Sequence, residues 1–113
     1  MGTALEVVDA FGSRWAAHDL DGSLDLLTAD CVFDSTGPAP DGTRCVGTEA
    51  IREAWAPIFE NVASVFTVER TIDAGDHIVQ LWHYSWGDGH VRGIDVFRVE
   101  GGKIAEKLSY VKG

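Results

Sequence analysis

Long apolar runs are missing from this 113-residue chain, and the longest stretch covers only a few residues, so no segment is suited to span a membrane. Proline is sparse, at 3 residues against 13 glycines, which implies many turns and little disorder. Cysteine is scarce as well. Cys31 and Cys45 are the only 2, and the N terminus lacks a basic stretch followed by an apolar one. The chain therefore reads as cytoplasmic, with two reduced thiols. No His or Cys stands at zinc-ligand spacing beside either cysteine, and no phosphate-binding loop occurs, so neither a metal nor an organic cofactor is implied. Basic residues are outnumbered, with 9 Lys and Arg against 18 Asp and Glu, a net charge of −9. That balance repels phosphate backbones and anionic lipid, which argues against nucleic acid and membrane surfaces as partners.

What is present is apolar material, 45% of the residues, enough for one domain over residues 1–113. Thr3 and Glu6 have the spacing of a capping box. Ala4, Val7, Val8, Phe11 and Trp15 then form a helical stripe, although Gly12 falls inside it. Residues 18–22 break that pattern, and a short second helix is expected through Leu24 and Leu27. Residues 31–35 look like a strand and 36–42 like a loop. A third helix begins at Gly47 and Thr48, with Ile51, Trp55, Ile58, Phe59 and Val62 on one face and Pro57 expected to kink it. Four β-rich segments follow, at about 64–73, 76–86, 90–99 and 103–111, joined by short glycine-bearing turns. They predict an antiparallel meander. The whole is an α+β layout: three helices packed on one face of a curved, mostly antiparallel sheet, a cone with a pocket at its mouth.

The stretches WAAHDLD at 15–21, ADCVFD at 29–34, GTEAIR at 47–52, GIDVFR at 93–98 and GKI at 102–104, with Phe11 before them, resemble the NTF2-like superfamily. The likeness is greatest to its SnoaL-like and ketosteroid-isomerase-like bacterial members. It covers nearly the whole chain and implies the cone fold and a homodimer. It leaves the function open, because the fold hosts isomerases, cyclases, dehydratases, epoxide hydrolases and binding modules.

Asp95 is the leading candidate for chemistry. Strand alternation puts it on one face with Phe97, and Phe97 calls for burial, so Asp95 goes inward too. Apolar surroundings penalise an ionised carboxyl, which would make Asp95 a hydrogen-bond donor or a base working near neutral pH. A carboxyl that merely bridges backbone groups is the structural alternative. The resemblance matches Asp95 to the protonated aspartic acid in the oxyanion hole of steroid isomerases. It also shows two departures: the isomerase base falls at Ser35 and its oxyanion-hole tyrosine at Phe11, and neither replacement can do the original task. Asp34, next to Ser35, would enter the pocket only if the strand slipped by one residue.

Gln80, Trp82, Tyr84 and Trp86 alternate, and the resemblance turns them inward as an aromatic wall with Tyr84 as a possible second donor. Phe11, Trp15 and Trp55 would form the facing wall. His77, His83 and His90 read as surface histidines, and Arg92 lies on the opposite face from Asp95, which counts against an epoxide hydrolase of the limonene type. The last strand has two possible registers. A two-residue turn at Gly101 and Gly102 sets Leu108 opposite Asp95, with Tyr110 diagonal to it. A longer turn with a bulge instead brings in Lys107 and Ser109, and Lys107 would then form an ion pair with Asp95. The function expected is proton transfer on a small apolar carbonyl compound, as isomerase, cyclase or dehydratase. A non-catalytic binding or dimerisation module, an epoxide hydrolase of the limonene type and a lipophile carrier are the alternatives.

Overall fold

Thr3 starts the first helix by the expected reciprocal cap. Its hydroxyl accepts from the Glu6 amide at 3.2 Å, and the Glu6 carboxylate accepts from the Thr3 amide at 3.0 Å. The computed structural model describes residues 3–113, so the first two residues of the expected leader-free N terminus lie outside them. Helix α1 covers Ala4–Ala16 and buries Val7, Val8 and Phe11. The second helix comes earlier than expected: α2 is Leu20–Leu24, capped by the Asp19 carboxylate on the Gly22 amide. Leu27 is not helical but opens strand β1, Leu27–Asp34. Tertiary pairing decides this, since Ile104 donates its amide to the Leu26 carbonyl at 2.8 Å.

A short strand not expected from the residue pattern, β2 at Arg44–Val46, pairs with β1. Helix α3 spans Thr48–Glu60 and contains Pro57. It buries Ile51, Trp55 and Phe59, whereas Val62 lies beyond its end and is 84% exposed. The meander follows as expected: β3 (Val65–Asp73), β4 (His77–Ser85), β5 (His90–Glu100) and β6 (Lys103–Val111). The sheet runs β2-β1-β6-β5-β4-β3 and is antiparallel except where β1 lies beside β6. Among the described residues its two outer strands do not pair, so the sheet is open rather than closed into a barrel.

The core sits between α1, α3 and the concave sheet face. Trp55, Ile51, Ile78 and Ile104 are fully buried there, and Phe97 is 1% exposed. Phe11 packs against Trp55 and Phe97 with ring centroids 5.6 and 5.7 Å apart. Tilted and edge-on rings at such distances fill volume with favourable quadrupole contact. This aromatic floor supports everything above it.

Candidate functional site

The register of β6 determines which groups meet. Glu100 pairs with Lys103 across a two-residue turn, yet Val99 pairs with Ile104 while Arg98 pairs with Glu106. Ala105 is therefore an extra residue in β6, and both it and Ile104 are buried. A bulge of this kind reverses the facing of every residue beyond it. Ser109 comes opposite Asp95, and Lys107 opposite Phe97. Leu108 and Tyr110, expected inside with a two-residue turn, are turned to the other face, and Tyr110 is 58% exposed. The turn is short and the bulge is present, a combination of the two alternatives.

Asp95 is 2% exposed and Lys107 6%. The Lys107 ammonium lies 3.3 Å from Asp95 Oδ2 and donates to Ser109 Oγ at 3.1 Å. It also faces the rings of Phe33, Trp15 and Trp55 at 4.9, 5.0 and 5.8 Å from their centroids. A desolvated cation gains appreciably from such rings. Among the described residues Asp95 Oδ1 has no hydrogen-bond partner. The carboxyl is thus not the lone acid of an apolar pocket, nor a bridge between backbone groups, but half of a buried ion pair with one oxygen uncommitted.

Both groups line a cavity of about 410 Å³ between the sheet and the helices. That volume suits a small organic molecule. Trp15, Phe33, Phe66, Trp82 and Tyr84 supply its apolar wall, and Ser35, Thr36 and Thr43 its polar edge. Ser35, where the resemblance placed the lost isomerase base, borders the cavity with its hydroxyl already in use. It donates to the Gly37 carbonyl at 2.9 Å and accepts from the Thr43 amide at 3.0 Å, which ties the 36–42 loop.

The other expected residues divide into three groups. Trp15, Trp82, Tyr84 and Asp95 line the cavity. Phe11, Trp55, Gln80 and Phe97 are buried but lie behind the wall, and Gln80 donates to Thr71 Oγ1 at 3.3 Å. Asp34 is outside, where Arg44 donates to both of its oxygens at 2.8 and 2.9 Å and holds its carboxyl below the usual range. No register slip brings Asp34 inward. Trp86, expected inward, is past the end of β4 and 39% exposed. Phe33 and Phe66 were missed, although Phe33 is two residues from the buried Cys31 on the same strand face. His83 and His90 lie side by side, with ring centroids 4.8 Å apart and away from the cavity. Among the described residues no cluster of His, Cys, Asp and Glu has the size to hold a metal, and no helix is long and apolar enough to cross a membrane.

Comparison with known proteins agrees with this architecture. Residues 8–107 match the SnoaL-like domain. An NTF2-like protein of unknown function from Mesorhizobium loti is 36% identical with a TM-score of 0.88, over 97% of this chain and 91% of that one. A steroid delta-isomerase from Pseudomonas aeruginosa is 22% identical with a TM-score of 0.81, over 100% and 82% of the two chains. A putative polyketide cyclase from Sinorhizobium meliloti is 19% identical with a TM-score of 0.79, over 92% and 93%. No curated protein sequence matches. With residues 8–107 matching that domain and the whole fold shared with an NTF2-like protein at 36% identity, the chain belongs to the SnoaL-like family of the NTF2-like superfamily.

Proposed function

We propose that the cavity binds a small, largely apolar carbonyl compound and moves a proton on it, with Asp95 as the acid–base group. The observation that carries this reading is the uncommitted Oδ1 of a buried carboxylate beside a cation in an aromatic-lined cavity. One carboxylate oxygen is held by the cation, which leaves the other to accept a proton from a bound carbon acid. Asp95 takes the proton from the carbon next to the carbonyl. The electron pair moves into the carbonyl oxygen, and the Lys107 ammonium stabilises the charge that develops there. Return of the proton at another atom completes an isomerisation, or a ring closes first. Tyr84 is the second donor. The steroid delta-isomerase and the putative polyketide cyclase of the same fold support this reaction class.

Without Phe11 and Ser35 able to replace a tyrosine and a carboxylate, the steroid-isomerase route itself is not followed. The engaged hydroxyl of Ser35 favours one second reading, a module that holds its ligand unchanged. We also assign homodimer formation to the outer sheet face, around Ile94 and the exposed Tyr110, which sedimentation would test.

Hydrogen–deuterium exchange at the α-carbon of a flat cyclic ketone such as 2-tetralone, followed by NMR in D₂O, separates enzyme from module. Asp95→Asn is expected to lose exchange by roughly 10²–10⁴-fold, the usual contribution of a general base, while the ketone still raises its melting temperature. Equal exchange in Asp95→Asn and the wild type would overturn the proposal.

A further inference from the structure

The proton-transfer reading uses Lys107 only as a fixed charge. The chain contains three lysines, and two of them, Lys103 and Lys112, are exposed at the ends of β6. Lys107 alone is buried, with 8% of its side chain exposed, and it borders the 410 Å³ cavity. A cation is seldom buried to hold one carboxylate, since desolvation offsets most of the attraction between them. A buried amine that meets a carbonyl compound beside a proton acceptor has a further chemistry open to it.

We propose that Lys107 is a nucleophile, forming an iminium with the carbonyl carbon of an aldehyde or ketone whose body is flat and apolar. The inference rests on the carbonyl-compound reading above and names the bond by which that compound is held. Asp95 Oδ2, at 3.3 Å, accepts one proton from the ammonium and frees the nitrogen lone pair. The C–N bond forms as the C=O π pair moves to oxygen, which takes the proton from Asp95. Asp95 then removes a second proton from nitrogen and delivers it to the hydroxyl, which leaves as water. The balance is one carbonyl and one ammonium giving one iminium and one water, with Asp95 a carboxylate at start and end.

The aromatic surroundings suit this step. The nitrogen carries the positive charge at the start and at the end of the step, so the rings of Phe33, Trp15 and Trp55 that face the ammonium face the iminium as well. An iminium also makes the neighbouring C–H more acidic than a free carbonyl does, so the same Asp95 can remove that proton. The cavity wall of Trp82 and Tyr84 fits an unsaturated or aromatic body.

The test is reductive trapping. The whole protein is incubated with 2-naphthaldehyde and cyanoborohydride, then digested and mapped by mass spectrometry. Hydride addition to an iminium leaves a stable secondary amine, heavier than lysine by the aldehyde less one oxygen. Lys107 is expected to be labelled roughly tenfold or more faster than Lys103 and Lys112, which report ordinary surface amines. 2-Methylnaphthalene, which has the same flat body but no carbonyl, should suppress the Lys107 label only. Asp95→Asn should slow it, and Lys107→Met, checked for folding by its melting transition, should abolish it. If 2-methylnaphthalene raises the melting temperature but the label falls on Lys103 and Lys112 with Lys107 unmodified, the iminium is refuted and the binding cavity stands. If the naphthalene does not bind either, the cavity reading fails and takes the iminium with it.

Discussion

The indole of Trp82 occupies the space that a side chain at Gly93 would need. The two residues are directly paired across β4 and β5, and a Cβ at position 93 would lie 2.7 Å from Trp82 Cζ2 and 2.8 Å from Cη2. It would also meet the Tyr110 carbonyl oxygen on the neighbouring strand. Glycine here lets a large ring lie against the sheet and form one wall of the cavity, which alternation alone could not show.

Gly93→Ala should therefore cost about 1–3 kcal/mol, the range for overpacking a tight site. Urea unfolding measures the loss, and a changed Trp emission spectrum would report the displaced indole. An unchanged midpoint would mean that the strands and Trp82 shift aside at no cost.

The Asp95–Lys107 pair predicts a strongly non-additive cycle. Lys107→Met alone leaves a carboxylate buried at 2% exposure without its cation, and should cost about 3–5 kcal/mol. Asp95→Leu with Lys107→Met removes both charges and should recover most of that stability. Denaturant melts of the two single variants and the double variant decide it, and additive losses would rule out the coupling.

The cysteines should behave differently. Burial pushes the Cys31 thiol up to about 12 from an ordinary 9.0, with the Lys107 charge opposing and Asp30 and Glu106 adding to it. A proton held more tightly in the folded chain than in the unfolded one stabilises the fold fully below pH 9.0, and that contribution is lost as pH rises toward 12. Stability should fall over that window, and Cys31→Ala should flatten the fall. With a disulfide-exchange reagent at neutral pH, only Cys45, half-buried at the cavity, should react before unfolding.

Trp15 lines both the main cavity and a neighbouring one of about 250 Å³ that includes His18 and Ser64, as do Ile58, Phe66 and Tyr84, and it is the largest of these side chains. Trp15→Ala should join them. The expected cost is about 3 kcal/mol, at the low end for an aromatic truncation because Trp15 is only half-buried. Melting-temperature shifts should then extend to longer aromatic ketones than the wild type accepts.

Local chemistry set much of this molecule in advance. The Thr3–Glu6 cap, the stripes of α1 and α3 and the four glycine-punctuated strands depend on neighbours a few residues away, and they were legible in the chain. So was the inward facing of Asp95, because Phe97 beside it has to be buried. The bounds of α2 and the presence of β2 were not, since the first follow the Asp19 cap and the pairing of Leu27 in β1, and the second depends on pairing with β1.

The partner of Asp95 was decided by tertiary structure. Side chains in a strand alternate with a period of two, so one additional residue changes which face each of the following ones occupies. Ala105 is that residue, and nothing in its own chemistry marks it as the bulge. Only the simultaneous pairing of β6 with β5 and with β1 places it there, turning Lys107 toward Asp95 and Leu108 away. The amino-acid order by itself determined that a carboxyl would be buried, and the packed sheet determined that it would be buried beside an amine.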